Sequence, residues 1–355
     1  MSDTDFDALS DVIRSIRLKS AVFFDVTAAS PWVAESRSGQ ALARTLMLAA
    51  GHAAAAHLID YHFVTRGECW VAPADHSWRP VRLGVGDIVA FPRGDPHLLS
   101  GSPELTGARP APIPATGTEC SMQVRIFVGD GAKGVSAQLI CGFLACDVRP
   151  FNPLVGSLPP FVHVRAAESD RWVECFAACV RTETAHRRAG SASMLAKLGE
   201  LMFVDLVRRH IETLPAGDHN WLAGLRDRQV GRAFALIHAD PAGAWTLDEL
   251  ARQVGASRSS FAGRFSRYAG MPPMQYLKKW RMQLASSMLV ETAATVSQVA
   301  GRVGYDSEEA FSRAFKRIVG ISPSHWREAN RPTPLGQRTS VPGSDDRRSL
   351  PLAET

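Results

Sequence analysis

The chain has 355 residues, 45% of them hydrophobic and 21% charged, enough to build real cores and too long for one compact domain by the usual size range. That balance excludes a wholly disordered chain and a collagen-like one, and six cysteines in such a length are no disulfide framework. The formal charge of +5 is unevenly spread, because residues 226–331 carry 16 Lys/Arg against 9 Asp/Glu while the remainder is slightly acidic. Such asymmetry is expected where one part of a chain meets a polyanion and the other does not.

In chain order, Met1 to Asp11 lacks the basic start and apolar core of a secretory signal. The longest uncharged apolar stretch, Thr45 to Ile59, is too short to span a bilayer. These features predict a cytoplasmic protein with reduced thiols and no membrane partner. Leu9, Val12, Ile13 and Ile16 form a helical stripe. From residue 20 to about 160, short apolar runs (Ala21–Phe24, Trp70–Val71, Ile88–Phe91, Val124–Val128) are punctuated by Gly and Pro, the pattern of a β-barrel or sandwich. Residues 101–117, with four prolines, read as an exposed loop. From about 165 to 214, two stripes follow: Trp172, Cys175, Phe176, Cys179 and Val180, then Leu195, Leu198, Leu201, Met202, Leu206 and Val207. They predict a helical hairpin turning near Ala189–Ser191. Its apolar faces would cover the barrel or pair with a second copy. Pro215–Asp218 breaks the chain. The tail from 331 to 355, rich in Pro, Ser, Gly and charge, reads as disordered.

The C-terminal third contains a repeat. Thr246, Leu247, Leu250, Ala251, Val254 and Gly255 recur as Thr295, Val296, Val299, Ala300, Val303 and Gly304. Ser257, Phe261, Phe265, Gly270 and Pro273 then recur as Ser307, Phe311, Phe315, Gly320 and Pro323. Each copy reads as a short helix, a turn at a glycine that permits a left-handed backbone, a serine N-cap and a second helix pinned by two phenylalanines one turn apart. This is a helix-turn-helix, whose second helix can enter a major groove. Between the copies, Pro272–Val290 carries the stripe Tyr276, Trp280, Leu284 and Met288. A helix there would be roughly 28 Å long, against about 34 Å between successive major-groove segments on one face of B-DNA.

Residues Arg232–Arg327 resemble the DNA-binding domain of the AraC/XylS family of transcription regulators. The run Gly304–Arg317, followed by Gly320-Ile321-Ser322-Pro323-Ser324-His325-Trp326-Arg327, carries the resemblance. It implies double-stranded promoter DNA as partner, homodimers and contact with RNA polymerase, but does not decide between activation and repression. With the phenylalanines turned inward, the expected DNA-binding residues are Arg258, Ser259, Ser260, Ala262, Gly263 and Arg267 in the first recognition helix. In the second they are Ser307, Glu308, Glu309, Ser312, Arg313, Lys316 and Arg317. Arg313 is the leading base-reading candidate, since arginine can bond guanine O6 and N7 together; the alternative is a surface pair with Glu309. Glu309 either accepts from cytosine N4 or, with Glu308, only favours the helix dipole. Ala262-Gly263 lacks the polar side chains frequent in the family, so direct readout by the first helix is expected to be sparse. Arg264 is expected to be partly buried. Lys278, Lys279, Arg281, Lys316, Arg317 and Arg327 read as phosphate contacts or a solvated basic face.

In the N-terminal part, Gly86-Asp87-Ile88-Val89-Ala90-Phe91-Pro92-Arg93-Gly94-Asp95-Pro96-His97 resembles the second cupin motif, and Asp60 stands seven residues before Gly67, where the first motif has its acid. Ala53–Ala56 fill the places of that motif's two histidines, so the three-histidine-plus-carboxylate metal site is missing. The resemblance implies a cupin-type sensor over about 20–160. His62, Cys69, His97, Cys141 and Cys146 are the effector or redox candidates. Imidazole and thiolate together would suit zinc, but core histidines and thiols acting as apolar fillers is the favoured reading, with no metal and no cofactor. Cys141 with Cys146, or Cys175 with Cys179, would be the redox pairs, although packing is expected for the latter.

The expected fold is thus α+β and multidomain. A cupin-like β-barrel with a helical hairpin occupies 1–214 (barrel about 20–160, hairpin about 165–214). A linker covers 215–227, and an all-α double helix-turn-helix domain covers 228–330. The expected function is a one-component, non-enzymatic regulator with an unknown small-molecule or redox effector; the alternative is a cupin metalloenzyme with an accessory DNA-binding domain.

Overall fold

A computed structural model describes residues 7–16, 19–36, 57–107, 123–129, 134–146, 150–166, 171–186 and 188–330. The loop expected over 101–117 falls partly outside these, and its described part forms a 3-10 turn, Pro103–Gly107. The expected tail lies wholly outside them.

Helix α1 (Ala8–Ser15) starts at Asp7, whose side chain accepts from the backbone of Leu9 and Ser10. Ten strands follow: β1 (Lys19–Ala29), β2 (Val33–Ser36), β3 (His57–Gly67), β4 (Cys69–Pro73), β5 (Val81–Leu83), β6 (Ile88–Phe91), β7 (His97–Ser100), β8 (Gln123–Val128), β9 (Val135–Cys146) and β10 (Val162–Val164). They form a six-stranded sheet, β10-β6-β3-β9-β1-β8, and a four-stranded sheet, β2-β7-β4-β5. Only the β1–β8 pairing is parallel among the described strand pairs. Successive side chains on a strand point to opposite faces. On β3, Val64 joins the core between the sheets, with Val71, Leu83, Phe91 and Leu99, whereas Ile59, Tyr61 and Phe63 join the helical layer outside.

That layer contains α2 (Pro153–Ser157), α3 (Arg171–His186) and α4 (Ser191–Thr213). The hairpin forms as expected, but the first stripe splits. Phe176 and Val180 are buried with Val173 and Ala177, while Trp172, Cys175 and Cys179 face outward. The Phe176 ring meets Phe63 edge-on at 5.2 Å, and that contact sets which side of α3 turns inward. On α4, Leu201 is likewise exposed, whereas Leu195, Leu198, Met202, Leu206 and Val207 are buried.

Within the stretch read as a linker, Trp221–Arg226 form α5. Then come α6 (Arg228–Ala239), α7 (Leu247–Gln253), α8 (Arg258–Ala269), α9 (Pro273–Glu291), α10 (Val296–Arg302), α11 (Glu308–Val319) and α12 (Pro323–Ala329). Helix α9 is buried on nearly all sides, because both helix-turn-helix units and α1 pack on it. The first unit shares one continuous core with α1 and the hairpin. The second has a separate core built on Leu289, Val299, Val303, Phe311 and Phe315.

Gln283 of α9 ties the two halves together. It is fully buried; its Nε2 donates to the Ser15 carbonyl at 3.0 Å and its Oε1 accepts from the Phe151 N–H at 3.1 Å. Ser287 Oγ is a second donor to Ser15. Gln283→Ala would leave the buried Phe151 N–H without a partner, a cost of about 1–3 kcal/mol. The expected result is faster hydrogen exchange at Phe151 and along α1, with the barrel strands unchanged; equal protection in both proteins would show the clasp carries no such stability.

Candidate nucleic-acid interface and barrel interior

The repeat folds as two helix-turn-helix units, α7–α8 and α10–α11. Thr246 and Thr295 cap the first helices, with Gln298 completing a capping box in the second unit. Gly255 and Gly304 hold φ of +68° and +78°, left-handed values that other residues rarely adopt. Ser257 and Ser307 cap α8 and α11 through the backbone N–H of Ser260 and Ala310. Phe261, Phe265, Phe311 and Phe315 are fully buried, so the opposite faces of both recognition helices turn to solvent. Helix α9, with 19 residues, is roughly 28 Å long and holds the units apart.

On α8, Arg258, Ser259, Ser260, Gly263 and Arg267 are exposed and Ala262 is half-buried. Arg258 is committed to Asp248 of α7 at 3.0 Å. Arg264 is half exposed rather than packed beside Phe265, and its guanidinium grips Asp227, the N-cap of α6, through two nitrogens. On α11, Glu308, Glu309, Arg313, Lys316 and Arg317 are exposed, and Ser307 and Ser312 half-buried. The surface pair between Arg313 and Glu309 does not form; among the described residues Arg313, Arg267, Lys316 and Arg317 make no ion pair. Two basic residues read as phosphate contacts have other duties. Arg281 donates to the carbonyls of Pro241, Gly243 and Gly304, bracing the second turn against the loop before α7. Arg327 donates to the carbonyls of Leu289 and Ala294, closing the end of α9. Lys279 lies 5.6 Å from the Phe151 ring, so it faces the N-terminal half. The sequence reading missed a cleft of about 410 Å³ beside the first unit, lined by Arg228, Gln229, Val254, Gly255 and Arg264. No spacing signal marks it, since three separate segments meet there.

Inside the barrel, four of the five candidates converge. His62 and His97 are buried, with their Nε2 atoms 2.6 Å apart. His97 Nδ1 faces the Asp95 carbonyl at 2.8 Å, so Nδ1 carries the proton and Nε2 accepts from His62. Phe91 stacks on the His97 ring at 3.6 Å. Burial lowers the His97 pKa to about 4 and holds His62 well below its ordinary range. Cys141 sits opposite His62 in the β3–β9 register, and Cys69 shares the interior. Burial pushes the Cys69 thiol up to about 12 and Cys141 well above the usual thiol range. Cys146 does not join them: it stands five residues from Cys141 on one strand, on the opposite face, and packs with the helical layer. A disulfide between them is therefore excluded. Asp60 is 1% exposed; its Oδ2 accepts from Ser36 Oγ at 2.9 Å, while its Oδ1, like His62 Nδ1, has no partner among the described residues. Burial raises the Asp60 pKa to about 7 against the opposing Ser36 hydrogen bond, and the Asp95 charge adds to the rise. The imidazoles and thiols of the array are thus neutral, and the Asp60 carboxyl gives up its proton only near pH 7. The metal that cupin barrels hold with three histidines and a carboxylate does not fit it. Among the described residues no three His, Cys, Asp or Glu side chains are placed to hold an ion.

A sheet-rich domain with cupin motifs, joined to a double helix-turn-helix, defines a DNA-binding transcription regulator. Residues 7–212 match the family described as Cupin and residues 250–329 the one described as Helix-turn-helix domain. The chain is 31% identical over 326 residues to a putative AraC-like transcription regulator of Streptomyces lividans, covering 91% of this chain and 98% of that one. It is 29% identical over 326 residues to a namesake of Streptomyces antibioticus, with the same coverage. It is 28% identical over 333 residues to the HTH-type transcriptional regulator AlkR of Acinetobacter baylyi, covering 91% and 99%. The chain belongs to the AraC family of transcription regulators, with a cupin domain at its N-terminal side. No helix among the described residues is long and apolar enough to cross a membrane.

Proposed function

We propose that the chain is a one-component, non-enzymatic regulator of the bacterial cytoplasm that binds promoter DNA through α8 and α11 and answers a small-molecule signal received in the barrel. The observation that carries this reading is Arg313: exposed, without an ion pair among the described residues, and near the middle of a recognition helix fixed from behind by Phe311 and Phe315. Arg313 reads a base. Ser259, Ser260, Ala262, Gly263, Arg267, Ser307, Glu308, Glu309 and Ser312 line the groove, and Lys316, Arg317 and the Arg228 cleft meet phosphates. Arg258 joins them on leaving Asp248.

Asp60 and His62, buried with one unpartnered polar atom each, support an effector site in the barrel. Cys69 and Cys141 serve there as neutral walls, since burial disfavours their thiolates. Exposed Met194 and Leu201 on α4 support a homodimer, which would present four recognition helices to two half-sites. RNA polymerase is the further partner. The working division is 1–214 for sensing and dimerisation, 215–227 for the connection, 228–330 for DNA binding, and 331–355 beyond it. The end of α4 at Thr213 and the start of α6 at Arg228 support it.

The test is binding of the full chain to DNA that it selects from a random pool. Arg313→Ala is expected to weaken binding by about 1–3 kcal/mol and to relax preference at one base position. Failure to enrich any sequence at low salt would overturn the reading.

A further inference from the structure

The outer face of α3 carries two thiols that DNA binding does not use. Cys175 and Cys179 are both exposed and lie four residues apart in a 16-residue helix, so they share one face with Cβ atoms about 5–6 Å apart. The inner face of α3 is held by Val173, Phe176, Ala177 and Val180.

That spacing decides what the pair can do. A disulfide needs Cβ atoms about 3.5–4.5 Å apart, so oxidation within the pair requires α3 to unwind. An ion bonded to both sulfurs at about 2.3 Å sets them roughly 3.8 Å apart in tetrahedral geometry, and two Cβ–S arms span one helical turn at that separation. The same spacing lets two histidines of one helix share a zinc ion. Among the described residues no third His, Cys, Asp or Glu completes the set. The site therefore suits a thiophilic centre with two positions to fill that brings its own third substituent. Trp172, three residues before Cys175 and 36% exposed, offers an aromatic surface one turn away for that substituent.

We propose that Cys175 and Cys179 form a chelating dithiol site for a thiophilic centre of the trivalent-arsenic kind, with an aryl arsenical fitting best. Two As–S bonds form, the As–O bond of the arsenoxide breaks, and the two thiol protons leave with the oxygen as water. Arsenic stays trivalent, so no oxidant is required. The other described thiols, Cys69, Cys141 and Cys146, are buried and do not compete. The bound centre staples one turn of the helix that packs on both the sheet and α4.

The experiment treats the reduced full chain with one equivalent of phenylarsine oxide, removes free reagent and reads intact mass. One adduct per chain is expected, reversed by 2,3-dimercaptopropanol but resistant to the same concentration of 2-mercaptoethanol. It should be lost in Cys175→Ser and in Cys179→Ser and kept in Cys120→Ser, which alters the sixth cysteine of the sequence, outside the described residues. Far-ultraviolet circular dichroism and thermal unfolding check that the variants are folded. An adduct that survives either serine substitution, or no adduct on the unaltered chain, overturns the proposal. Neither result bears on DNA recognition by α8 and α11.

Discussion

Phe265→Ala is expected to destabilise the DNA-binding half by about 3–5 kcal/mol, the usual cost of deleting a fully buried aromatic ring. The ring is completely buried and meets Phe234, Tyr276 and Phe261 at 5.1, 5.6 and 5.7 Å. Behind it lies a polar chain: Trp221 Nε1 donates to the Tyr276 hydroxyl at 2.9 Å, and that hydroxyl faces His238 Nε2 at 2.9 Å. Burial drives the His238 pKa down to about 3, so its neutral ring can accept there. This core continues into α1 and the hairpin, so damage at Phe265 should spread to the N-terminal half. Phe315→Ala removes a ring from the separate core of the second unit and should cost a similar amount without loosening α1. Hydrogen exchange on both variants distinguishes them. If both loosen α1 equally, the two cores are one cooperative unit.

The repeat was legible because its elements are local. Serine caps, glycine turns and paired phenylalanines each act within one turn of helix, and the structure places all of them as the spacing required. The duties of Arg281 and Arg327 were not legible. An arginine that donates to distant carbonyls and one that waits for a phosphate look alike in sequence, and only the approach of the loop before α7 or the end of α9 separates them. On α3 the expected stripe mixed two faces that differ by one residue, 172/175/179 and 173/176/180. A partner far away in sequence, Phe63 on β3, selects between them. Once β9 is known to run unbroken from Val135 to Cys146, strand parity alone separates Cys141 from Cys146. The element's length was the missing fact. The cupin spacing did put His97 and Asp60 inside the barrel, but Ser36 as the partner of Asp60 arises from a contact between the two sheets.

Asp60 yields a pH effect that reaches into the neutral range. Its carboxyl ionises near 3.9 in an unfolded chain and at about 7 in the barrel. A raised folded-state pKa means that the folded chain keeps a proton the unfolded chain releases. The stability Asp60 contributes is therefore fully present below about pH 4 and is lost as pH rises through about 7. The loss is on the order of 4 kcal/mol. Asp60→Asn removes the titration while keeping an oxygen for Ser36 Oγ. Urea unfolding across pH 4 to 8 should therefore show the variant gaining on the unaltered chain as pH rises, with the difference levelling off above about pH 7. His62 and His97, whose lowered values act in the opposite direction, are present in both proteins and drop out of the difference in slope. Parallel profiles would mean that Asp60 ionises as an exposed carboxyl does, with water reaching Oδ1. A difference that keeps growing up to about pH 7 would mean that the barrel keeps a fraction of this acid protonated at neutral pH. Such an acid can donate a hydrogen bond to a neutral or anionic guest, beside an imidazole whose bare Nδ1 can accept one.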